Sequence, residues 1–159
     1  MIELEIIAAK LPADGSELRA EALAEGFRHL ERLAAGWESG MERFDRAGER
    51  LIAARLNGAL AGIGGVTIDP VAADFMRMRR FYVCPAFRRR GVGREIAKAL
   101  LAHVGDDDRK ITVNAAAASF PFWESLGFVL ELRHRRTHIL RMATPKSMRP
   151  LTPPRPSPA

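Results

Sequence analysis

The chain has 159 residues, 47% hydrophobic and 28% charged, which suits one globular domain with a real core and is too short for two ordinary ones. No apolar run approaches the ~18 residues of a membrane span. The opening Met1-Ile-Glu-Leu-Glu-Ile is too short and acidic for a secretory signal. One cysteine, Cys84, and four scattered histidines exclude an internal disulfide and a Cys/His zinc module, so no metal is expected. Lys plus Arg exceed Asp plus Glu by 25 to 19, a formal +6, and the expectation is a cytoplasmic protein with a basic surface.

In chain order, Ile2, Leu4 and Ile6 alternate with Glu3 and Glu5, the period of a strand. Leu23, Phe27, Leu30 and Ala34 recur at helical spacing and predict one helix over 16–35, with Ser16 as its N-cap. A short helix or loop follows through Trp37 and Phe44 to about Ala47. Leu51–Leu56 and Leu60–Ile68 are β-compatible runs joined at Asn57-Gly58, a hairpin signal. Met76–Val83 gives another strand, ended by Pro85. Val92, Ile96, Leu100 and Val104 form an apolar helical stripe after Gly91. Ile111–Asn114 reads as a short strand, and Ala117–Leu126 as a helix stopped by Gly127. Phe128–Met142 reads as two strands around His134-Arg135-Arg136. From Ala143 the composition shifts, with six of the ten prolines in the last 17 residues, and a disordered or extended tail is expected over 143–159. The order β-α-α-β-β-β-α-β-α-β-β predicts an α/β (α+β) domain over 1–142. Its sheet would be mixed and mostly antiparallel, of about seven strands, with helices on both faces.

Charge concentrates between residues 77 and 98, where Arg77, Arg79, Arg80, Arg88, Arg89, Arg90, Arg94 and Lys98 face one acid, Glu95. Such a field suits a polyanion. The spacing inside it is specific: a strand ends at Val83, a basic turn follows, and Gly91-Val92-Gly93 opens a helix. The first turn of a helix offers unpaired N–H groups and a positive dipole end, and glycine lets phosphate oxygens approach them. No G-x-x-x-x-G-K-[ST] run exists, and Ile96 stands where a dinucleotide fingerprint needs its third glycine.

The run Arg88-Arg-Arg-Gly91-Val-Gly93, preceded by Tyr-Val-Cys-Pro85, resembles the acetyl-CoA-binding motif of the GNAT N-acetyltransferase superfamily. A second block, Val113-Asn114 and then Phe120-Pro-Phe-Trp-Glu-Ser-Leu-Gly-Phe128, is similar to that family's second motif. The resemblance implies that the main chain of Phe81 and Val83 pairs with pantetheine. It also implies that the pyrophosphate rests on Arg89, Arg90, Gly91, Val92, Gly93 and Arg94. Arg88 would open the motif, Asn114 would face the cofactor, and a main-chain N–H near Val83 would meet the oxyanion. Two positions depart from the family. Trp123 stands at the usual general-acid tyrosine, and indole has no accessible acid function. Arg77 stands where related sequences often carry a glutamate base. The base is left open among Glu38, Glu42, Asp45, Asp69, Asp74 and a water chain.

The resemblance implies direct acetyl transfer from acetyl-CoA to a primary amine of a small molecule or peptide, through a ternary complex. Trp37 and Phe44, in the loop that covers the acceptor in this family, are candidate substrate contacts or plain packing. Tyr82 is expected under the sheet, and Cys84 as a partly buried thiol without a histidine to activate it. No membrane is implied, nucleic acid is not required, and nothing opposes a homodimer. Two other readings stay open: a CoA-binding sensor or interaction module with little catalysis, and a basic nucleic-acid-binding protein.

Overall fold

In a computed structural model, residues 1–105 and 109–140 are described; the Pro-rich 143–159 segment lies outside them. The elements are β1 (Ile2–Ile7), α1 (Gly15–Ala24), α2 (His29–Ser39), β2 (Arg50–Leu56), β3 (Ala59–Ile68), β4 (Phe75–Val83), α3 (Val92–Val104), β5 (Lys110–Val113), α4 (Phe120–Ser125), β6 (Val129–Arg133) and β7 (Arg136–Leu140). Short 3-10 turns at Pro85–Phe87 and Ala117–Ser119 precede α3 and α4. The strands form one seven-stranded sheet in the order β1-β2-β3-β4-β5-β7-β6. The pairs β1–β2, β2–β3, β5–β7 and β6–β7 are antiparallel. Among the described residues no helix is long and apolar enough to cross a membrane.

Contacts group the chain into two compact units. The first holds Met1–Ile68 and Met78–Gly105, and the second begins with Asp69–Arg77 and resumes after Gly105. In the first unit, Leu18, Ala22, Leu30, Leu33 and Trp37 of α1 and α2 pack with Leu51, Ala53, Leu60, Ile63 and Tyr82 in one core. Residues of a strand alternate between faces, so Gly62, one position before Ile63, looks the other way. There a Cβ would lie 3.1 Å from Val92 of α3. Helices therefore cover both faces of this part of the sheet.

The predicted stripe of α3 is the buried one, with Val92, Ile96, Ala97, Leu100 and Val104 inside. Asn57 and Gly58 both take positive φ, 53° and 89°, as a two-residue type I′ turn requires. Gly127 ends α4 with φ 99°: its N–H reaches Glu124 O, and that of Phe128 reaches Trp123 O. This Schellman arrangement is completed by Trp123 against Phe128, ring centres 5.3 Å apart.

Three expectations are corrected. The single helix over 16–35 is two helices, because Gly26 (φ 90°) closes α1 with a Schellman pair, Gly26 N–H to Leu23 O and Phe27 N–H to Ala22 O. Leu23 and Phe27, placed on the predicted stripe, are exposed, and Leu18 and Ala22 are buried instead. Asp14, not Ser16, is the N-cap residue, and it makes no side-chain cap bond; its carboxylate receives Arg55 Nη1 and Nη2 at 2.8 and 3.1 Å. The β6–β7 turn is confined to His134 and Arg135, both at positive φ, and Arg136 belongs to β7 and is buried.

Candidate functional site

The segment singled out by charge runs from the end of β4 to the first turn of α3. Cys84 N–H pairs with Ala61 O of β3 at 2.8 Å. By strand alternation the main-chain groups of Phe81 and Val83 face the other edge of β4. Their carbonyls are met by side chains: His29 Nε2 lies 2.8 Å from Phe81 O, and Arg88 Nε donates to Val83 O at 2.9 Å. Within β4, Arg80 has φ 63°, a left-handed residue inside a strand and hence a local break in regular pairing.

Beyond the Pro85–Phe87 turn, Arg89 and Gly91 take left-handed φ of 65° and 83°. Gly91 is the N-cap of α3. A Cβ built on it meets nothing within 4 Å, so the space over its Cα is open. The next amides, of Val92 and Gly93, open the helix, where the first turn has no intrahelical acceptor. Arg89, Arg90 and Arg94 are exposed around them, and Arg90 stacks on Phe87 with 6.0 Å to the ring centre.

Four further cations of the run, Arg77, Arg79, Arg80 and Arg88, face carboxylates. Arg80 forks onto Glu42 with two contacts of 2.7 Å, and Arg79 reaches the same carboxylate at 3.6 Å. Arg88 forks onto Glu25 at 2.6 and 3.0 Å and lies over the Tyr82 ring. Arg88, followed by the Tyr82 hydroxyl, holds the Glu25 carboxyl below its usual range. Tyr82 is buried, its hydroxyl donating to Glu25 at 2.6 Å, and burial raises its own pKa. Cys84 is buried, and its thiol is pushed up to about 11, mainly by desolvation. Trp37 and Phe44 are both in the hydrophobic core; Arg43 covers the Trp37 ring at 5.0 Å, and Phe44 sits against Gly65.

In the second unit, Asn114 is exposed directly after β5. Trp123 is buried, packed edge-on against Phe122 and Phe128. Arg77 is buried too. Its Nε lies 3.2 Å from both Asp69 Oδ2 and Thr112 Oγ1, and its Nη2 donates to His134 O at 3.1 Å. Asp69 also accepts the N–H groups of Val71 and Ala72 and the hydroxyl of Thr112. Burial raises its pKa, but these partners and Arg77 outweigh it and leave the carboxyl below its ordinary value. Asp69 is thus held in a structural network, and Glu42 is held by two arginines. Glu38, Asp45 and Asp74 are exposed.

Three features escaped the sequence reading: His29 on Phe81 O, Glu25 under Arg88, and a buried His138 bonded to Glu124 and Thr137 at 2.8 and 2.9 Å. Only Glu25 had a local signal, its place beside Gly26 at a helix end. The other two are long-range pairings. Among the described residues no group of His, Cys, Asp and Glu is arranged to hold a metal.

The sequence model of the acetyltransferase (GNAT) domain matches residues 18–144. No curated protein matches the sequence. Among solved structures, a protein of Exiguobacterium sp. 255-15 assigned as an acetyltransferase superposes with a TM-score of 0.82 at 23% identity, covering 92% of this chain and 98% of its own. An acetyltransferase from Streptococcus agalactiae 2603 gives 0.63 at 15% identity, covering 87% and 97%. A GNAT family acetyltransferase from Elizabethkingia anophelis, solved with acetyl-CoA bound, gives 0.57 at 14% identity, covering 82% and 77%.

Proposed function

The chain belongs to the GNAT acetyltransferase family, and from that premise we propose that it transfers the acetyl group of acetyl-CoA directly to a primary amine of a small molecule or peptide, in a ternary complex. The observation that carries this reading is the left-handed Gly91 at the head of α3, with open space over its Cα and exposed Arg89, Arg90 and Arg94 beside it. These residues fit a pyrophosphate: the backbone N–H groups of a first helical turn, a positive helix end and flanking charge. Acetyl-CoA bound there supplies the activated acyl group as a thioester. Phe81 and Val83 would guide the pantetheine arm along the edge of β4 that faces away from β3, and the Val83 N–H would meet the oxyanion. Much of the rate would come from holding both reactants in line.

Trp123 supplies no acid on this reading. A thiolate of pKa near ~8.5 leaves tolerably at neutral pH without one. The compartment is the cytoplasm, where acetyl-CoA is used. A nucleic-acid reading loses support, because Arg77, Arg79, Arg80 and Arg88 already face carboxylates. The sensor reading keeps one supporting observation, the burial of Trp123 at the general-acid position.

The test is a thermal melt with and without acetyl-CoA, on wild type and on Gly93→Glu. Gly93 is not among the glycines at positive φ, so the added charge does not force a left-handed backbone. Ligand at ~100 Kd stabilises the native state by ~2.7 kcal/mol, a rise of about 5–10 °C for a chain of this size. A rise in wild type that is lost in the folded variant supports the site. No rise at millimolar acetyl-CoA sinks it. Binding without release of CoA thiol over an amine panel selects the sensor.

A further inference from the structure

We propose that His29 is the general base of this transfer, taking the proton of the acceptor ammonium on its Nδ1; the proposal rests on the acetyl-transfer reading above. The argument begins with the tautomer. A carbonyl oxygen only accepts, so the 2.8 Å contact to Phe81 O puts a hydrogen on Nε2. In the neutral ring the free lone pair is then on Nδ1. Among the described residues Nδ1 has no hydrogen-bond partner, and it is not among the buried unpartnered atoms, so it reaches solvent. The ring is held in place by more than that bond: Phe27 and Tyr82 meet it edge-on, with centres 5.8 and 6.2 Å away.

Its position suits the task. Phe81 and Val83 present their main-chain groups on the same edge of β4, two residues apart, or ~7 Å along a strand. A base anchored on the first lies beside the thioester guided by the second. Three of the other carboxylates are engaged in pairs of their own. Glu25 holds Arg88 and Tyr82, and Glu42 holds Arg79 and Arg80. Asp69 holds Arg77 and Thr112.

The ring is also kept neutral. Desolvation lowers its pKa, and the cations that face it, Arg80 on β4 and Arg32 on its own helix, lower it further, against the raising effect of the Phe81 carbonyl. A histidine in that state is ready to accept a proton at neutral pH. The amine proton passes to Nδ1, and the freed nitrogen pair forms the bond to the acetyl carbon. The C–S bond then breaks, its electron pair leaves on sulfur, and the thiolate takes the second proton lost by nitrogen. The imidazolium returns its proton to solvent.

The test uses His29→Gln, whose amide can still donate to Phe81 O but cannot take a proton. The acetyl-CoA melt shift should persist. The rate of CoA thiol release with primary amines (phenethylamine, spermidine and a lysyl peptide) should fall about 100-fold or more at pH 7, and the acid limb of the wild-type pH profile should vanish. Hydroxylamine is already neutral at that pH, and should react with wild type and variant at similar rates. Equal amine rates with an unchanged acid limb would overturn the proposal, as would equal losses with both kinds of nucleophile. A nitrogen-15 NMR titration of the imidazoles in the acetyl-CoA complex reads the same proposal without any acceptor. Hydrogen on Nε2 supports it, and hydrogen on Nδ1 of the neutral ring overturns it. A wild type that shows no melt shift with acetyl-CoA would instead remove the transfer reading itself, and the assignment of His29 with it.

Discussion

Arg88 and Glu25 meet as a two-pronged ion pair, Nη2 to Oε1 at 2.6 Å and Nη1 to Oε2 at 3.0 Å. Glu25 is the last residue before the glycine that closes α1, and Arg88 is the first of the three arginines before Gly91. The pair therefore ties a helix end to the loop that would receive the pyrophosphate. With its Nε on Val83 O as well, Arg88 acts as a bracket for that loop more than as a loose charge.

Removing the Glu25 charge should leave the fold nearly as stable and loosen the loop. The Arg88 side chain is 41% exposed, and exposed pairs contribute ~0–1 kcal/mol. Glu25→Gln, which removes the charge but still offers the buried Tyr82 hydroxyl an acceptor, should therefore melt within about 4 °C of wild type. Acetyl-CoA should bind several-fold more weakly by calorimetry, because the loop must be ordered on binding. Tighter binding would mean that Glu25 competes with the phosphates for Arg88.

Asp69 should matter far more to stability. Its side chain is 2% exposed and that of Arg77 8%. Asp69→Asn leaves a buried guanidinium without its counter-charge, a loss of about 3–5 kcal/mol at pH 7. The folded-state pKa is below the ordinary Asp value. The carboxylate's contribution is therefore full above that ordinary value, ~3.9, and is lost as pH falls through the lowered one. Denaturant melts of wild type and variant should draw together as pH falls below the ordinary Asp value of ~3.9, and a constant gap would refute the linkage.

Phe44 should behave as packing against glycine. A Cβ at Gly65 would overlap Phe44 Cε2 and lie 3.0 Å from Arg50 O. Gly65→Ala should cost about 1–3 kcal/mol in a denaturant melt through overpacking. Adding Phe44→Leu should recover part of that loss, a non-additivity expected of residues in contact. An additive double variant would place Phe44 elsewhere.

What could be read in the sequence was local. Asn57-Gly58 and Gly127 each set backbone angles that few other residues tolerate, and the elements around them stand where expected. The α3 stripe is legible because Val92, Ile96, Leu100 and Val104 recur every four residues, and all four are buried. Gly26 held the same kind of information as Gly127, but the periodic Leu23 and Phe27 on either side of it matched one continuous helix and masked the stop. The pairings that shape the site had no local trace. His29 and Phe81 are joined across the chain by one contact, and Arg79 and Arg80 meet Glu42 only once β4 lies near the end of α2. Trp37 and Phe44 would look the same in a sequence whether they packed a core or lined a pocket.

The two-residue Asn57-Gly58 turn also sets an order of assembly. Its strands, β2 and β3, can find each other by closing almost no loop, whereas β1 pairs Ile2 with Leu56 and Ile7 with Leu51 across both α1 and α2. Closing that larger loop costs more chain entropy. The edge strand recovers little for it, since Leu4 and Ile6 remain 39% and 57% exposed. The hairpin is thus the part suited to form early, and β1 the strand suited to arrive last and to detach first. Amide hydrogens donated by β1 accordingly belong to the fast-exchanging fraction of the sheet, and those of the central hairpin to the slow one.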